Sequence, residues 1–201
     1  MNVATDRDPA DRFDIVAVTA SAGGVQALSA LVAALPVDFP VPVLVVQHLD
    51  PRHQTILADI LDRRSALRVK LAEAGERAER GTIYVAPPNH HLLVDGGGVL
   101  SLSDRPRAHF VRPSADLLFE SVAEAYGARA IVCVLTGTGR DGATGVGAVK
   151  ARGGTVIVED PSTANFSGMP SAAVDTGHSD LVLPLHEIPT TIHDLLVATR
   201  Q

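Results

Sequence analysis

Three side chains that together can perform nucleophilic acyl transfer lie just past three apolar segments of this 201-residue chain. Ser21 follows the first segment, His48 the second, and Asp141 the segment around Cys133. A hydroxyl nucleophile, an imidazole that takes its proton and a carboxylate that orients the imidazole are the minimum set for this reaction. We therefore predict a serine hydrolase whose catalytic triad is Ser21, His48 and Asp141.

The residues after Ser21 suit the binding of an oxyanion. Ala22, Gly23 and Gly24 lie at a predicted strand-to-helix turn, where unpaired N–H groups and the positive end of the helix dipole face the hydroxyl. A tetrahedral intermediate formed there would be stabilised, and loss of one such donor costs roughly 100- to 1000-fold in rate. The two glycines also let a substrate approach the backbone closely.

Each member of the predicted triad has a structural alternative when it is taken alone. Ser21 could be only a helix N-cap, His48 only a packed histidine, and Asp141 only the cap of the helix that follows it. The residues around Ser21 also differ from the G-x-S-x-G elbow of other hydrolases. What favours catalysis is their common position at strand ends, because ligands of open parallel sheets bind at that edge.

A nucleotide-binding enzyme is the main rival hypothesis. Residues 137–142 fit G-x-G-x-x-G between a predicted strand and a predicted helix. Glu159 and Asp160 end the next strand, near the position where an acid would bind a ribose. Asp141 argues against this hypothesis, because its carboxylate would lie in the loop that cradles phosphate.

Composition restricts the partners and the compartment. The net charge of −6 argues against a nucleic-acid partner. No apolar run reaches the roughly 20 residues that span a bilayer, and no secretory signal is visible, so we predict a cytoplasmic protein without membrane insertion. The single cysteine, Cys133, lies in an apolar run and is predicted to be buried. We predict no metal and no cofactor, because no ligand spacing links His48, His53, His90 and His91.

Apolar runs alternate with amphipathic stretches along the chain. The predicted strands are 13–19, 41–46, 67–71, 82–86, 130–135, 155–158 and 181–183. The predicted helices are 24–35, 53–63, 114–126, 142–152 and 187–199. Segments 92–94 and 99–102 flank a D-G-G-G turn and predict an antiparallel hairpin. Within helix 114–126, Ser114 is a predicted N-cap and Asp116 a first-turn acid.

This alternation predicts an α/β fold. Strands that are separated by helices form right-handed crossovers, so we expect a single-domain, doubly wound, mainly parallel sheet with helices on both faces. The small antiparallel hairpin is expected as an insertion on a sheet edge. Residues 1–12 are predicted to be a disordered lead-in, and residues 13–201 to form one catalytic domain.

Six motifs in order resemble a known family, the CheB-type chemotaxis receptor methylesterases, over about residues 15–197. The motifs are Ser21-Ala22-Gly23-Gly24, Val45-Val46-Gln47-His48, Tyr84-Val85-Ala86-Pro87 followed by His91, Arg112-Pro113-Ser114-Ala115-Asp116, Leu135-Thr136-Gly137-Thr138-Gly139-Arg140-Asp141-Gly142, and Gly168-Met169-Pro170. The resemblance is to the catalytic domain alone, without the receiver domain that family members typically have.

The resemblance implies the same three catalytic roles for Ser21, His48 and Asp141. It implies hydrolysis of glutamate γ-methyl esters on the cytoplasmic domain of a chemoreceptor or a similar signalling protein, and deamidation of specific glutamines as a side activity. It also implies oxyanion donors among the backbone N–H groups near His48 and Thr138.

The remaining site predictions concern the oxyanion and the substrate. Ala22, Gly23, Thr138, His91 and Arg112 are predicted to bind the oxyanion or the substrate, with the Phe166 loop on the rim of the cleft. Ala22 replaces the family's usual threonine and Thr138 its usual methionine, so a regulatory or binding module with little activity is the alternative within the same fold.

Overall fold

A computed structural model describes residues 13–48, 55–108 and 111–198 of the chain. Within these ranges the strands are β1 (Ile15–Ala20), β2 (Val43–Gln47), β3 (Arg68–Leu71), β4 (Thr82–Val85), β5 (His91–Val94), β6 (Leu100–Ser103), β7 (Ala130–Val134), β8 (Thr155–Glu159) and β9 (Leu181–Leu183). The α-helices are α1 (Gly24–Ala33), α2 (Leu57–Asp62), α3 (Ala115–Tyr126), α4 (Ala143–Ala151), α5 (Gly168–Val174) and α6 (Ile188–Ala198).

Seven strands form one sheet in the order β3-β4-β2-β1-β7-β8-β9, and every neighbouring pair is parallel. The central strands are rich in valine, isoleucine and alanine and are buried along their whole length. Such runs are typical of parallel strands that are covered on both faces. The sequence predicted this architecture from its continuous apolar segments, and the structure confirms it.

Two apolar layers hold the helices on the sheet. Side chains of α1, α2 and α6 pack on one face, and side chains of α3, α4 and α5 pack on the other. Cys133 in β7 has no exposed surface, as predicted, and burial raises the pKa of its thiol. The three-layer arrangement leaves the carboxyl ends of the strands as the edge where loops meet.

Three sequence predictions are corrected by the structure. The hairpin of β5 and β6 forms a separate two-stranded sheet that packs against α3, rather than an insertion on the edge of the main sheet. Helix α5 was missed, because seven residues with Pro170 in the first turn show no helical periodicity. Helix α2 starts at Leu57, and the predicted residues 53 and 54 lie outside the described residues, as does the predicted lead-in 1–12.

Candidate active site

The order of the strands brings the three predicted triad residues to one place. Strand β1 lies between β2 and β7, so the chain first crosses to β2 on one side of β1 and later enters β7 on the other side. Ser21 follows β1, His48 follows β2, and Asp141 lies in the turn after β7. This is the topological switch point, where open parallel sheets bind their ligands.

The turn after β1 fixes the backbone of Ser21. The Ser21 N–H donates to Thr136 O at 3.0 Å, and Ser21 O accepts from the Gly24 N–H at 2.8 Å. Gly23 adopts the left-handed conformation, with φ of 75°, directly before α1 begins. Within the described ranges, Ser21 Oγ makes no hydrogen bond, so the hydroxyl is left available at the start of the helix.

His48 and Asp141 form a close pair of side chains in the site. His48 Nε2 lies 2.7 Å from Asp141 Oδ2, and the two side chains are 15% and 4% exposed. With the Nε2 proton donated to the carboxylate, the lone pair of Nδ1 is the one that can act as a base toward Ser21. Serine–histidine contacts in resting hydrolases are often long and shorten when substrate binds.

Asp141 is held by the beginning of α3. Its Oδ2 also accepts from the Ala115 N–H at 2.6 Å, and its Oδ1 accepts from Ser114 Oγ at 2.8 Å and from the Asp116 N–H at 3.2 Å. Burial alone would raise the pKa of Asp141, but these donors and His48 outweigh it and lower the pKa below the ordinary value. Asp141 is therefore an anion that is fixed in place and faces the imidazole.

Asp116, in the first turn of α3, in turn accepts hydrogen bonds from the start of α4, the helix that follows Asp141. Asp116 Oδ1 accepts from the Gly142 N–H at 2.9 Å and from the Gly145 N–H at 2.7 Å, at the start of α4. The two helices thus exchange capping carboxylates. The alternative in which Asp141 caps its own helix is wrong. Ser114 occupies the predicted N-cap position, but its hydroxyl bonds to Asp141 instead of capping α3.

Backbone donors for an oxyanion come from both glycine-rich turns. In the described chain, the N–H groups of Ala22, Gly23 and Thr138 donate to no protein acceptor, and Thr138 is exposed. The N–H of His48 itself donates to Ala20 O at 3.3 Å, so it is already engaged. Gly168 keeps the second turn close, because a Cβ there would lie 3.0 Å from Gly139 N.

His91 lies behind the site instead of on its rim. Its side chain has no exposed surface, its Nδ1 accepts from the Ser114 N–H at 3.1 Å, and its Nε2 donates to Pro106 O at 3.2 Å. Burial lowers the pKa of His91 and so favours the neutral ring that these bonds require. The structure therefore contradicts the predicted substrate contact of His91, and the residue supports the start of α3.

Arg112 binds within the protein. Its guanidinium donates to Asn89 Oδ1 at 2.7 and 3.2 Å and to Asp104 O at 2.9 Å, so it ties the loop before α3 to the loop before β5. A substrate contact of Arg112 stays a prediction. Phe166 lies nearer to the nucleophile, since a Cβ on Gly23 would be 3.2 Å from its ring, and the Phe166 side chain is 45% exposed.

A second network, which sequence analysis missed, supports the turn after β7. Thr136 Oγ1 donates to Ala22 O at 3.1 Å and accepts from the Phe166 N–H at 2.9 Å, which joins two rims of the site. The Thr136 N–H donates to Glu159 Oε2 at 2.7 Å. Glu159 is 3% exposed, and burial raises its pKa. Glu159, one of the two acids that the nucleotide hypothesis offered for a ribose, is thus buried beneath the turn.

Neither a metal cluster nor a membrane helix occurs in the ranges that the structure describes. No group of three or more histidine, cysteine or acidic residues there has the arrangement of a metal site. Nor does any helix in those ranges have the length and apolarity required to cross a bilayer.

Known proteins are similar to this chain in sequence and in fold. The family model for the CheB methylesterase matches residues 16–192. The protein-glutamate methylesterase/protein-glutamine glutaminase of Pyrococcus horikoshii is 41% identical over 88% of this chain and 49% of its own length. The protein of the same name from Clostridium acetobutylicum is 38% identical over 98% of this chain and 57% of its own length. The chain spans about half the length of these two curated relatives.

A solved structure agrees with both sequence matches. The crystal structure of the Thermotoga maritima CheB methylesterase catalytic domain superposes with a TM-score of 0.87 at 39% identity, over 91% of this chain and 98% of that one. Residues 16–192, which the family model matches, include Ser21, His48 and Asp141. The chain therefore belongs to the CheB methylesterase family.

Proposed function

We propose that residues 13–201 form the catalytic domain of a protein-glutamate methylesterase whose triad is Ser21, His48 and Asp141. The observation on which the proposal rests is the 2.7 Å pair of His48 and Asp141 at the switch point where the Ser21 turn begins. The names of the relatives support the same activity. The proposed substrate is a methylated glutamate on the cytoplasmic domain of a chemoreceptor or a similar signalling protein, and the proposed compartment is accordingly the cytoplasm.

The proposed reaction gives each residue of the triad one role. His48 Nδ1 takes the proton of Ser21 as Oγ attacks the γ-ester carbonyl, and Asp141 stabilises the imidazolium that forms. The N–H groups of Thr138, Ala22 and Gly23 are the proposed oxyanion donors, each of the kind whose loss costs roughly 100- to 1000-fold in rate. Because these are backbone groups, Ala22 and Thr138 supply them despite their altered side chains.

Breakdown of the intermediate returns the proton. The imidazolium gives its proton to the departing methoxide, so methanol leaves and the glutamyl acyl group stays on Ser21. Water then attacks the acyl carbonyl while His48 takes a proton from it, and the glutamate carboxylate is released with the Ser21 hydroxyl restored. A glutamine side chain would form the same acyl-enzyme with ammonia as leaving group, which accounts for the glutaminase side activity that we also propose.

The test is release of methanol from radiolabelled, methylated chemoreceptor membranes. We expect release by the wild type and by Ser101→Ala, a matched control on the exposed face of β6, and none by Ser21→Ala. Equal release by Ser21→Ala would overturn the triad. If no variant releases methanol, a burst with an activated ester separates another substrate from a protein of the same fold that has lost its chemistry.

A further inference from the structure

We propose that Gln47 is a positioning residue that sets the distance between the nucleophile and its base. The inference rests on the proposed esterase function and adds to it a residue that touches neither the substrate nor the reacting atoms. Gln47 ends β2 and immediately precedes His48. Ala20, which precedes Ser21, is its direct partner in the pairing of β1 with β2. Its side chain therefore lies between the two catalytic turns.

The Gln47 amide bonds to both catalytic residues through their backbones. Nε2 donates to Ser21 O at 2.8 Å and to His48 O at 3.1 Å. Both of its protons are thus used on the carbonyl groups of the nucleophile and of the base. A side chain that is 4% exposed and holds two such partners cannot shift without moving one turn relative to the other.

The oxygen of the Gln47 amide indicates that this side chain does more than stabilise the fold. Gln47 Oε1 is buried and has no hydrogen-bond partner in the described chain. An unpaired buried acceptor is unfavourable, and native proteins keep few of them. An apolar side chain of the same length would fill the space without that cost. What only the amide supplies here is the pair of donors to Ser21 O and His48 O.

Gly24 is fitted to the same amide. A Cβ at position 24 would lie 1.9 Å from Gln47 Oε1 and 2.8 Å from Ala20 Cβ. The first residue of α1 must therefore be glycine for Gln47 to reach across. Since Ser21 O also accepts from the Gly24 N–H, the turn stays closed if Gln47 is replaced. The bond from the His48 N–H to Ala20 O then remains as the backbone link to the end of β2, and the side-chain link to Ser21 O is lost.

The expected consequence is a loss of rate without a loss of binding. Replacing Gln47 lets Ser21 Oγ and His48 Nδ1 drift apart, while the pair of His48 with Asp141 and the backbone donors of the second turn are unchanged. A displacement of about 1 Å at reacting atoms can lower the rate about 100-fold. The pH profile should keep the shape that it has in the wild type.

The experiment compares Gln47→Met, Gln47→Asn and the exposed control Gln26→Met on α1. Reaction of Ser21 with a fluorophosphonate probe gives a maximal labelling rate and the probe concentration at half saturation. Hydrolysis of an activated ester gives kcat and KM. The melting temperature shows whether each variant is folded. We expect Gln47→Met to lower kcat and labelling about 10- to 100-fold, with KM and melting temperature near the wild type. Gln47→Asn, which is too short to reach both carbonyl groups, should behave alike, and Gln26→Met like the wild type.

Each outcome decides the role of Gln47. Labelling of a folded Gln47→Met or Gln47→Asn variant at the wild-type rate would overturn it. So would losses of kcat that simply track a lower melting temperature, or a change confined to KM. If Ser21 of the wild type does not react with the probe while Gln26→Met and the wild type are both folded, the triad itself is wrong and the role of Gln47 is rejected with it.

Discussion

Asp141 and Glu159 are two buried carboxylates at the same edge of the sheet, and their pKa values shift in opposite directions. Asp141 lies in the turn after β7 and is 4% exposed, while Glu159 ends β8 and is 3% exposed. Burial is the largest influence on both and raises both pKa values. The pKa of Asp141 nevertheless falls below its ordinary value, whereas the pKa of Glu159 rises above its own.

The number of donors explains the difference. Asp141 accepts from the His48 ring, from the Ser114 hydroxyl and from two N–H groups at the start of α3. Glu159 accepts one N–H, that of Thr136. Burial is therefore a poor guide to the direction of the pKa shift at this edge, and the free N–H groups at the start of a helix decide which carboxylate has the lowered pKa. Asp141 is suited to stabilise an imidazolium, and Glu159 to support a turn.

The largest expected effect is that of Asp141→Asn. The amide keeps the shape of the carboxylate but cannot stabilise the imidazolium, and it permits the wrong tautomer of His48. We expect kcat toward an activated ester to fall about 10⁴-fold, as in other triads of this kind. Asp38→Asn, at an exposed position with no side-chain bond in the described chain, is the control and should leave kcat unchanged. A loss below tenfold would show that Asp141 is not the orienting acid.

Asp116→Ala should cause the largest loss of stability. It leaves the N–H groups of Gly142 and Gly145 without acceptors at the start of α4, for which we expect a decrease of about 2–3 kcal/mol in the free energy of unfolding. Urea denaturation at neutral pH measures it. Asp116→Asn retains an oxygen for both donors and should lose less. If the two variants are equally destabilised, the charge of Asp116 matters more than its caps.

Ser114→Ala tests the donors of Asp141 through pH. The folded-state pKa of Asp141 is lowered, so its hydrogen bonds contribute stability above the ordinary carboxyl pKa and lose it as pH falls through the lowered value. We expect the variant to be about 1–2 kcal/mol less stable at neutral pH. The difference in the free energy of unfolding between the variant and the wild type should become smaller in acid, where Asp141 is protonated in both proteins. A difference that is constant with pH would contradict the assignment.

Glu159→Gln should have the smallest effect and the opposite sign. The folded-state pKa of Glu159 is raised, so its ionisation costs stability as pH rises through that value. The glutamine oxygen can still accept from Thr136 without a buried charge. We expect a higher melting temperature than the wild type at about pH 8 and no difference near about pH 4, where the ordinary glutamate is half protonated. A lower melting temperature at the higher pH would refute this explanation.

Much of this fold could be predicted from the sequence, because its signals lie in short segments of the chain. Buried parallel strands appear as continuous apolar runs, and the residues that follow them must meet at one edge, so Ser21, His48 and Asp141 could be grouped by their positions in the chain alone. Helix α5 was not accessible, since its seven residues are ordered by contacts with the neighbouring turn. Among these contacts is the bond from the Met169 N–H to Gly137 O.

The exchange of caps shows where local rules fail. The rules for helix termini assign Ser114 and Asp116 to α3 and Asp141 to α4, because each is near the start of that helix in sequence. In the structure the two carboxylates are exchanged. Asp141 accepts from the start of α3 and Asp116 from the start of α4, because the two helices begin side by side. This exchange depends on how the two helices pack against each other, and a short segment of sequence carries no information about that packing. Gln47 was missed because its bond to Ser21 O joins the ends of two strands that are 26 positions apart in the chain.

The central position of β1 also makes assembly of the proposed triad a late event in folding. His48 and Asp141 are 93 positions apart in the chain, and they meet only once β2 and β7 have both paired with β1. Closing so long a loop is slow compared with forming a helix or a hairpin. The helices can regain their circular dichroism while the protein is still inert. The return of the proposed esterase activity during refolding would therefore report when β2 and β7 have both paired with β1.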